Sequence, residues 1–228
     1  MTERSAIVLL SGGLDSTTCA WIARRDGYRI HALSFDYGQR LAREVRSAEA
    51  VAHAVDAVEH VVMRFDLGVW GGSSLTSATP VPQHDDVSAI GKEIPNTYVP
   101  GRNTLFLAFA TSFAEARGAE AIFIGVNALD YSGYPDCRPA FVEAFEEVIR
   151  QGTAAGAHGK APRIVAPLMD LTKAGIVRLG VELGVDHGLT WSCYVGGDLP
   201  CGRCDSCLLR AQGFADAGVA DPVAAASD

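Results

Sequence analysis

A glycine turn between an apolar run and a helical pattern limits most strongly what this chain can fold into. Residues 6–10 read AIVLL, a run typical of a short buried β-strand, and residues 17–25 are expected to form a helix. The turn between them is the hexapeptide SGGLDS at residues 11–16. Glycines let a backbone approach a phosphate, and the unpaired N–H groups of a helix N-terminus attract an anion. The hexapeptide therefore predicts an anion site at the carboxyl end of a strand.

The hexapeptide is not a Walker A loop. That motif needs a lysine and a hydroxyl residue after its last glycine, and here the chain continues Leu14-Asp15-Ser16. It resembles instead the pyrophosphate loop of the N-type ATP pyrophosphatases, which cleave ATP between the α- and β-phosphates. A plain β–α turn is the alternative interpretation.

The rest of the chain alternates strand and helix patterns. Further strands are predicted at residues 29–35, 60–63, 121–125 and 164–166. One helix is predicted to follow residues 36–40 and to run to about residue 55. Others are predicted at residues 104–117, 141–149, 172–183 and 206–217. Because strands joined by helices pair in parallel, we expect an α/β fold: a Rossmann-like parallel sheet of about five strands in one domain over residues 1–228.

Residues 65–101 break this alternation. They are rich in Gly, Ser, Thr and Pro and have no strong periodicity. Long stretches of this kind in a compact domain are usually functional or mobile. We expect a flap or a dimer-contact loop.

Charge and the length of apolar runs argue against two classes of partner. The formal net charge is −8, whereas a surface for nucleic acid or an anionic membrane needs a basic patch. No apolar run approaches transmembrane length, and residues 6–10 are too short for the core of a signal peptide. We expect a soluble, cytoplasmic protein that binds neither nucleic acid nor membrane.

Four of the six cysteines lie close together near the C-terminus. Cys193, Cys201, Cys204 and Cys207 are separated by seven, two and two residues. Cytosolic cysteines are expected to be reduced, so such a cluster indicates a metal before disulfides. Four thiolates suit tetrahedral Zn²⁺ and leave no position for a substrate, which predicts one structural zinc ion in the segment 190–217. An iron–sulfur cluster is the alternative.

The densest polar run is GVNALDYSGYPDCR at residues 125–138. It follows the fourth predicted strand and so lies at the carboxyl edge of the sheet, where α/β folds bind ligands. Its carboxylates, phenols, thiol and arginine exceed what a connection needs. The alternative is a turn in which Asp136 caps the next helix.

Three other runs fit either ligand binding or plain structure. In VPGRN at residues 99–103, Arg102 could clamp a nucleotide phosphate or base, or Asn103 could be a helix N-cap. DYGQR at residues 36–40 ends the second strand, where its backbone could read an adenine or form a turn. Lys173 could bring its ammonium to a leaving pyrophosphate or simply be solvated.

Together these motifs resemble those of the 7-cyano-7-deazaguanine synthases of the queuosine pathway, a family of N-type ATP pyrophosphatases. The matching stretches are residues 11–16, 37–40, 101–103, 125–138 and 193–207, in that order. The run DYSGYPDCR at residues 130–138 is the most specific, because other ATP pyrophosphatases lack it. Leu41 departs from the pattern, which has histidine after YGQR.

The resemblance implies the fold, the reaction and the partners. The fold is that of the adenine nucleotide α-hydrolases, with a C-terminal four-cysteine zinc loop and helix, in a homodimer. ATP adenylates 7-carboxy-7-deazaguanine, and ammonia displaces AMP to give an amide. A second ATP activates the amide oxygen, whose loss leaves the nitrile. The implied cofactors are ATP, Mg²⁺ and Zn²⁺.

The resemblance also implies three groups of site residues. The nucleotide and its Mg²⁺ are bound by Leu10, Ser11, Gly12, Gly13, Leu14, Asp15, Ser16, Phe35 and Gly125. The deazaguanine or ammonia is held by Asp130, Tyr131, Tyr134, Asp136 and Arg138. Catalysis is carried by Asp15, Ser16, Asp136, and by Arg102 and Lys173, which neutralise phosphates. Two alternatives stay open: a tRNA sulfurtransferase with the same loop, and a non-catalytic nucleotide-binding partner.

Overall fold

The computed structural model describes residues 4–39, 42–91, 93–127 and 133–223, and these form one sheet of five parallel strands. The strands are β1 (Ser5–Leu9), β2 (Arg29–Asp36), β3 (Glu59–Arg64), β4 (Ala121–Phe123) and β5 (Arg163–Val165). Their order is β3-β2-β1-β4-β5, with β1 at the centre. The chain reverses its winding direction at β1, and such a switch point opens a crevice at the carboxyl ends of the strands. The predicted α/β sheet is confirmed.

Seven α-helices are described in the same residues. They are α1 (Leu14–Arg25), α2 (Ala42–Ala54), α3 (Arg102–Arg117), α4 (Pro139–Gly152), α5 (Ala154–Ala157), α6 (Lys173–Glu182) and α7 (Asp205–Ala217). Short 3₁₀ helices lie at Gly68–Trp70, Val87–Ala89, Pro135–Cys137 and His187–Leu189. No helix among the described residues is both long and apolar enough to cross a membrane.

The sheet has a hydrophobic core on each face, because successive side chains of a strand point to opposite sides. Ile7 and Leu9 of β1 belong to the core that packs on α3 and α4. Ala6 and Val8 belong to the core that packs on α1, α2, α6 and α7. All four side chains are buried. Two covered faces explain why the strands read as continuous apolar runs instead of alternating ones.

The segment 65–101 is folded against the rest of the domain. Ser74 and Val99 are buried, and the Ser74 N–H donates to the carbonyl of Asn96 at 2.8 Å. The N–H of His84 donates to the carbonyl of Arg203 at 2.8 Å, which ties the segment to the cysteine-rich stretch. The described residues of this segment therefore pack as part of the domain. Its role as a flap or a dimer contact remains a prediction.

An ion pair at the edge of the sheet predicts a pH dependence of stability. Arg117 donates from Nε and Nη2 to the two carboxylate oxygens of Glu59 at 2.6 and 3.0 Å, and His31 adds a contact at 2.6 Å. The Arg117 hydrogen bonds lower the pKa of Glu59 from 4.5 to about 2, outweighing the cost of desolvation. The stability contributed by this pair is thus complete above pH 4.5 and is lost as the pH falls toward 2.

We expect Arg117→Met to lower the free energy of unfolding at pH 7, by an amount that shrinks as the pH falls below 4.5. Urea unfolding of the wild type and the variant between pH 3 and pH 7 measures this difference. Arg25→Met is the control, because its partner Asp26 is adjacent in sequence and the pair is exposed. A difference that stays constant across this pH range would contradict the assignment.

Candidate functional site

The carboxyl ends of the central strands open into a cavity of about 610 Å³. That volume is typical of sites for small ligands. Most of the residues singled out from the sequence line it together: Leu10, Ser11, Gly13, Leu14, Asp15, Ser16, Phe35, Arg102, Gly125, Tyr134, Asp136 and Lys173. Residues scattered over more than 160 positions of the chain thus meet at one edge of the sheet.

Four predicted site residues are not among these lining residues. Gly12 lies behind the wall of the cavity, among buried backbone. Arg138 is exposed, precedes the first residue of α4 and is not among the described residues that line the cavity. Asp130 and Tyr131 lie outside the described residues.

The predicted anion loop has the expected strand–turn–helix geometry. The helix begins at Leu14, earlier than the sequence pattern suggested, with Gly13 at its N-cap. Hydroxyl groups brace the turn: the Ser11 and Ser16 oxygens lie 3.0 Å apart, and the Gly13 N–H donates to Ser11 Oγ at 3.3 Å. The N-terminus of α1 therefore faces the cavity with its first N–H groups available for an anion.

Adding one methyl group at Gly12 is expected to destabilise the fold strongly. Its φ of +77° is disfavoured for residues with a side chain, and a Cβ there would lie 2.5 Å from the backbone nitrogen of Ala48. Because the nearest atoms belong to the backbone of α2, they cannot move aside as a flexible side chain could. We expect Gly12→Ala to lower the free energy of unfolding by about 3 kcal/mol.

Chemical denaturation measures the effect of Gly12→Ala. Gly27→Ala is the matched control, because Gly27 also has positive φ, +80°, but a Cβ there meets no atom within 4 Å. We expect the control to lose about 1 kcal/mol. Equal losses for the two variants would show that the contact with α2 does not matter.

Asp15 places a carboxylate in the cavity, where it pairs with Lys173. Its Oδ2 accepts from Lys173 Nζ at 2.5 Å and from Asn127 Nδ2 at 3.1 Å. Its Oδ1 is buried and has no hydrogen-bond partner among the described residues. An unsatisfied carboxylate oxygen beside a helix N-terminus fits Mg²⁺, which takes oxygen ligands and keeps waters and phosphates in its shell. Lys173 is held at this site, so the alternative of a solvated lysine is wrong.

Arg102 also lines the cavity and lies among aromatic side chains. It is the first residue of α3 and follows Gly101, which is the N-cap in left-handed conformation at φ 63°. Arg102 Nη1 donates to the hydroxyl of Tyr37 at 3.0 Å, and its guanidinium lies 6.0 Å from the centroid of the Phe106 ring. Among the described residues, the cations that line the cavity include Arg102 and Lys173.

Asp136 connects the polar run to α3. Its Oδ2 accepts from the Asn103 N–H at 2.9 Å, and Asn103 Nδ2 donates back to the Asp136 carbonyl at 3.1 Å. Both structural alternatives raised from the sequence are therefore wrong. Asn103 lies inside the first turn instead of capping it, and Asp136 binds the start of α3, whereas Arg138 precedes α4.

Glu44 of α2 lines the cavity, although no sequence pattern indicates it. Burial raises the pKa of its carboxyl to about 7, against the opposing effect of the Arg102 charge. A carboxyl with such a pKa can accept or release a proton at neutral pH. Tyr37, whose side-chain hydroxyl accepts from Arg102, is a second such lining residue. Neither residue has a sequence signal, since a glutamate in a helix and a tyrosine after a strand are common.

The four clustered cysteines form a candidate metal centre. Their sulfurs all lie within 4.8 Å of one another, and Cys201 and Cys207 are 3.9 Å apart. A tetrahedron with Zn–S bonds of about 2.3 Å has sulfurs about 3.8 Å apart, so the set fits zinc. The neighbouring sulfurs of Cys193 and Cys204 raise the pKa of the Cys207 thiol, because they share its proton. A bound dication would let all four ionise together.

Phe35 and Gly125 are both predicted to contact the nucleotide, and their surroundings differ. The ring of Phe35 stacks on Phe106 with centroids 3.9 Å apart, so one face of Phe35 is covered by protein. Gly125 lies against the first turn of α1, where a Cβ would be 3.0 Å from the backbone nitrogen of Ser16. Gly125 therefore permits the close approach of its chain to the anion loop.

Comparison with known proteins identifies relatives along nearly the whole chain. A family model described as "Queuosine biosynthesis protein QueC" matches residues 5–218. The 7-cyano-7-deazaguanine synthase of Trichormus variabilis is 54% identical over 219 residues, 96% of each chain. The synthase of Kineococcus radiotolerans is 56% identical over 223 residues, 97% of each chain.

One solved structure supports the fold. The NMN synthetase of Francisella tularensis aligns with a TM-score of 0.51 and 15% sequence identity, over 88% of this chain and 71% of that one. At this identity the likeness concerns the fold alone.

Proposed function

Since this chain belongs to the QueC family of queuosine biosynthesis proteins, we infer that it is a 7-cyano-7-deazaguanine synthase, an ATP-dependent ligase. The observation that carries this conclusion is the family match over residues 5–218, which includes every motif that meets at the cavity. We propose that the substrates are 7-carboxy-7-deazaguanine, ammonia and ATP.

Conversion of a carboxylate to a nitrile requires the removal of both oxygens. A carboxylate oxygen attacks the α-phosphorus of ATP, releasing pyrophosphate and forming an acyl adenylate. Ammonia adds to the acyl carbon, loses a proton and expels AMP, which leaves an amide. The amide oxygen then attacks the α-phosphorus of a second ATP, which releases pyrophosphate and one amide proton, and loss of AMP with the second proton gives the nitrile. Each nitrile therefore consumes two ATP and yields two AMP and two pyrophosphates.

The anion loop is suited to stabilise the departing pyrophosphate. The N–H groups at the start of α1 and the ammonium of Lys173 face the position where negative charge grows. Asp15, with one unpartnered oxygen, would hold Mg²⁺, which would supply positive charge against the departing pyrophosphate. Leu10, Leu14, Phe35 and Gly125 complete the nucleotide wall.

Arg102 and Tyr134, which line the same cavity, are suited to the substrate that carries the carboxylate. Arg102 offers a half-buried cation, and Tyr134 lines the cavity beside Thr97, with their hydroxyls 3.1 Å apart. Asp136 fixes the first turn of α3 and so orients Arg102. Asp130, Tyr131 and Arg138 remain predicted substrate residues. Glu44 is a candidate acceptor for the proton that leaves ammonia, because its pKa lies near 7.

The remaining assignments are also part of the proposal. The four cysteines would hold one zinc ion in a closed shell, which supplies structure and no position for substrate. We place the protein in the cytoplasm, as a homodimer that acts on small molecules.

Choice of ATP analogue gives a sharp test. Purified protein, 7-carboxy-7-deazaguanine, ammonium and Mg-ATP should yield a nitrile product by mass spectrometry. An analogue with an imido bridge between the β- and γ-phosphates should also support product formation, since the cleaved α–β bond is intact. An analogue with a methylene bridge between the α- and β-phosphates should not. Turnover that needs cleavage between the β- and γ-phosphates would refute the proposed chemistry.

A further inference from the structure

Arg210 of α7 lines the cavity, yet its donors are all used inside the protein. Its side chain is 6% exposed. Nε and Nη2 donate to the two carboxylate oxygens of Asp221 at 2.7 and 2.8 Å. Nη1 donates to Thr190 Oγ1 and Ser192 Oγ at 2.7 and 3.3 Å, and Nη2 also donates to the His187 carbonyl at 3.3 Å. A guanidinium has five N–H donors, so these five contacts leave none for a ligand.

The residue between the two hydroxyl partners lies directly against the anion loop. The Trp191 N–H donates to the Gly12 carbonyl at 2.9 Å. A Cβ on Gly13 would lie 3.6 Å from the Trp191 carbonyl oxygen, so both peptide groups of Trp191 border the loop. The indole is 2% exposed and donates from Nε1 to the Cys193 carbonyl at 3.1 Å. The same short stretch therefore borders the anion loop on one side and enters the cysteine cluster on the other.

We propose that Arg210 is a positioning residue that, paired with Asp221, holds the stretch 190–193 against the anion loop and thereby sets the affinity for ATP. This inference rests on the proposed ATP-dependent function. Asp221 follows α7 near the end of the described residues, so it supports the loop from more than 200 positions away in sequence. A loop that is already ordered loses less entropy when it binds phosphates.

The fork shape of arginine is essential to this role. Lysine carries the same charge but offers one ammonium group, which cannot reach both carboxylate oxygens and the hydroxyl pair together. Arg210→Lys should therefore keep the buried charge paired while releasing Thr190 and Ser192. Asp221→Asn keeps the shape of the pair, removes its charge, and tests the same link should Arg210→Lys not fold.

The experiment measures ATP binding and kinetics on zinc-loaded wild type and both variants. The binding probe is the α,β-methylene analogue of ATP with Mg²⁺, followed by calorimetry. We expect each variant to bind the analogue about tenfold more weakly and to raise KM for ATP about tenfold. KM for the carboxylic acid and kcat should stay within about twofold, and zinc content should be unchanged. The control is Arg178→Lys, because the contact that Arg178 makes within the described part of the chain is a hydrogen bond to the Asp216 carbonyl at 3.1 Å, outside the stretch 190–193 and the anion loop.

The outcomes separate this inference from the function on which it rests. A wild type that does not bind the analogue would remove the proposed function itself. A wild type that binds, with variants that melt at lower temperature but bind equally well, would overturn the inference and leave Arg210 with a purely structural role. An equal rise in KM for ATP and for the acid would also overturn it.

Discussion

Asp15→Asn is expected to lower kcat/KM for nitrile formation by about a thousandfold. Asp15 is the one residue of the anion loop that combines an ion pair, an amide contact and a free buried oxygen. Asparagine has nearly the same shape but has no charge with which to hold Mg²⁺ or to pair with Lys173. Because the metal and the ammonium both act on the departing pyrophosphate, both contributions fall together.

The matched control for this prediction is Asp56→Asn. Asp56 is also an aspartate in an ion pair, with Arg24 at 2.8 Å, but its side chain is 77% exposed. Its φ of 55° is one that asparagine tolerates well, so the fold should be kept. Steady-state kinetics on folded, zinc-loaded protein measure both variants. Activity of Asp15→Asn within tenfold of the wild type would exclude a central role for this carboxylate.

Cys204→Ser is expected to abolish stoichiometric zinc binding and, with it, nitrile formation. The four sulfurs are close enough to share one ion, and serine replaces a thiolate by a poor zinc ligand. Structural zinc contributes about 10–16 kcal/mol in small peptides, so its loss should unfold the loop around Cys193. That loop includes the contact between Trp191 and Gly12, so the anion loop loses its support as well.

Elemental analysis of the purified protein measures the metal content of the Cys204→Ser variant. The control is Cys19→Ser, since Cys19 is a buried cysteine of α1 outside the cluster, with its sulfur 3.6 Å from the Ile124 carbonyl. This control should retain about one zinc ion per chain even if it is less stable. Iron in place of zinc in the wild type would contradict the zinc assignment, and a Cys204→Ser variant that keeps its zinc would contradict the four-ligand site.

The sequence predicted those parts of the molecule that depend on local patterns. Apolar runs and helical spacing placed all five strands and the main helices, because each pattern reports which side is buried. The glycine turn at residues 11–16 predicted the strand–turn–helix geometry, in which Gly12 has a φ of +77° that residues with a side chain disfavour. The spacing of the four cysteines predicted a shared site, because ligands separated by only two residues must lie close together.

Contacts between distant parts of the chain could not be predicted. Asp15 and Lys173 are 158 positions apart, and no local pattern indicates that their side chains meet at 2.5 Å. The alternative for Asp136, a cap on the following helix, is wrong because its carboxylate accepts from the N–H of Asn103 on an earlier helix, and no local pattern indicates that contact. Such pairs are fixed by the tertiary packing of separate elements.

The most direct test of the account follows the oxygens of the substrate. We would supply 7-carboxy-7-deazaguanine labelled with ¹⁸O at both carboxylate oxygens, together with Mg-ATP and ammonium, and analyse AMP and pyrophosphate by mass spectrometry. If both oxygens attack an α-phosphorus, two AMP form per nitrile, each carrying one ¹⁸O, and pyrophosphate carries none. Label in inorganic phosphate or in water, or nitrile formed without labelled AMP, would contradict adenylation at this site.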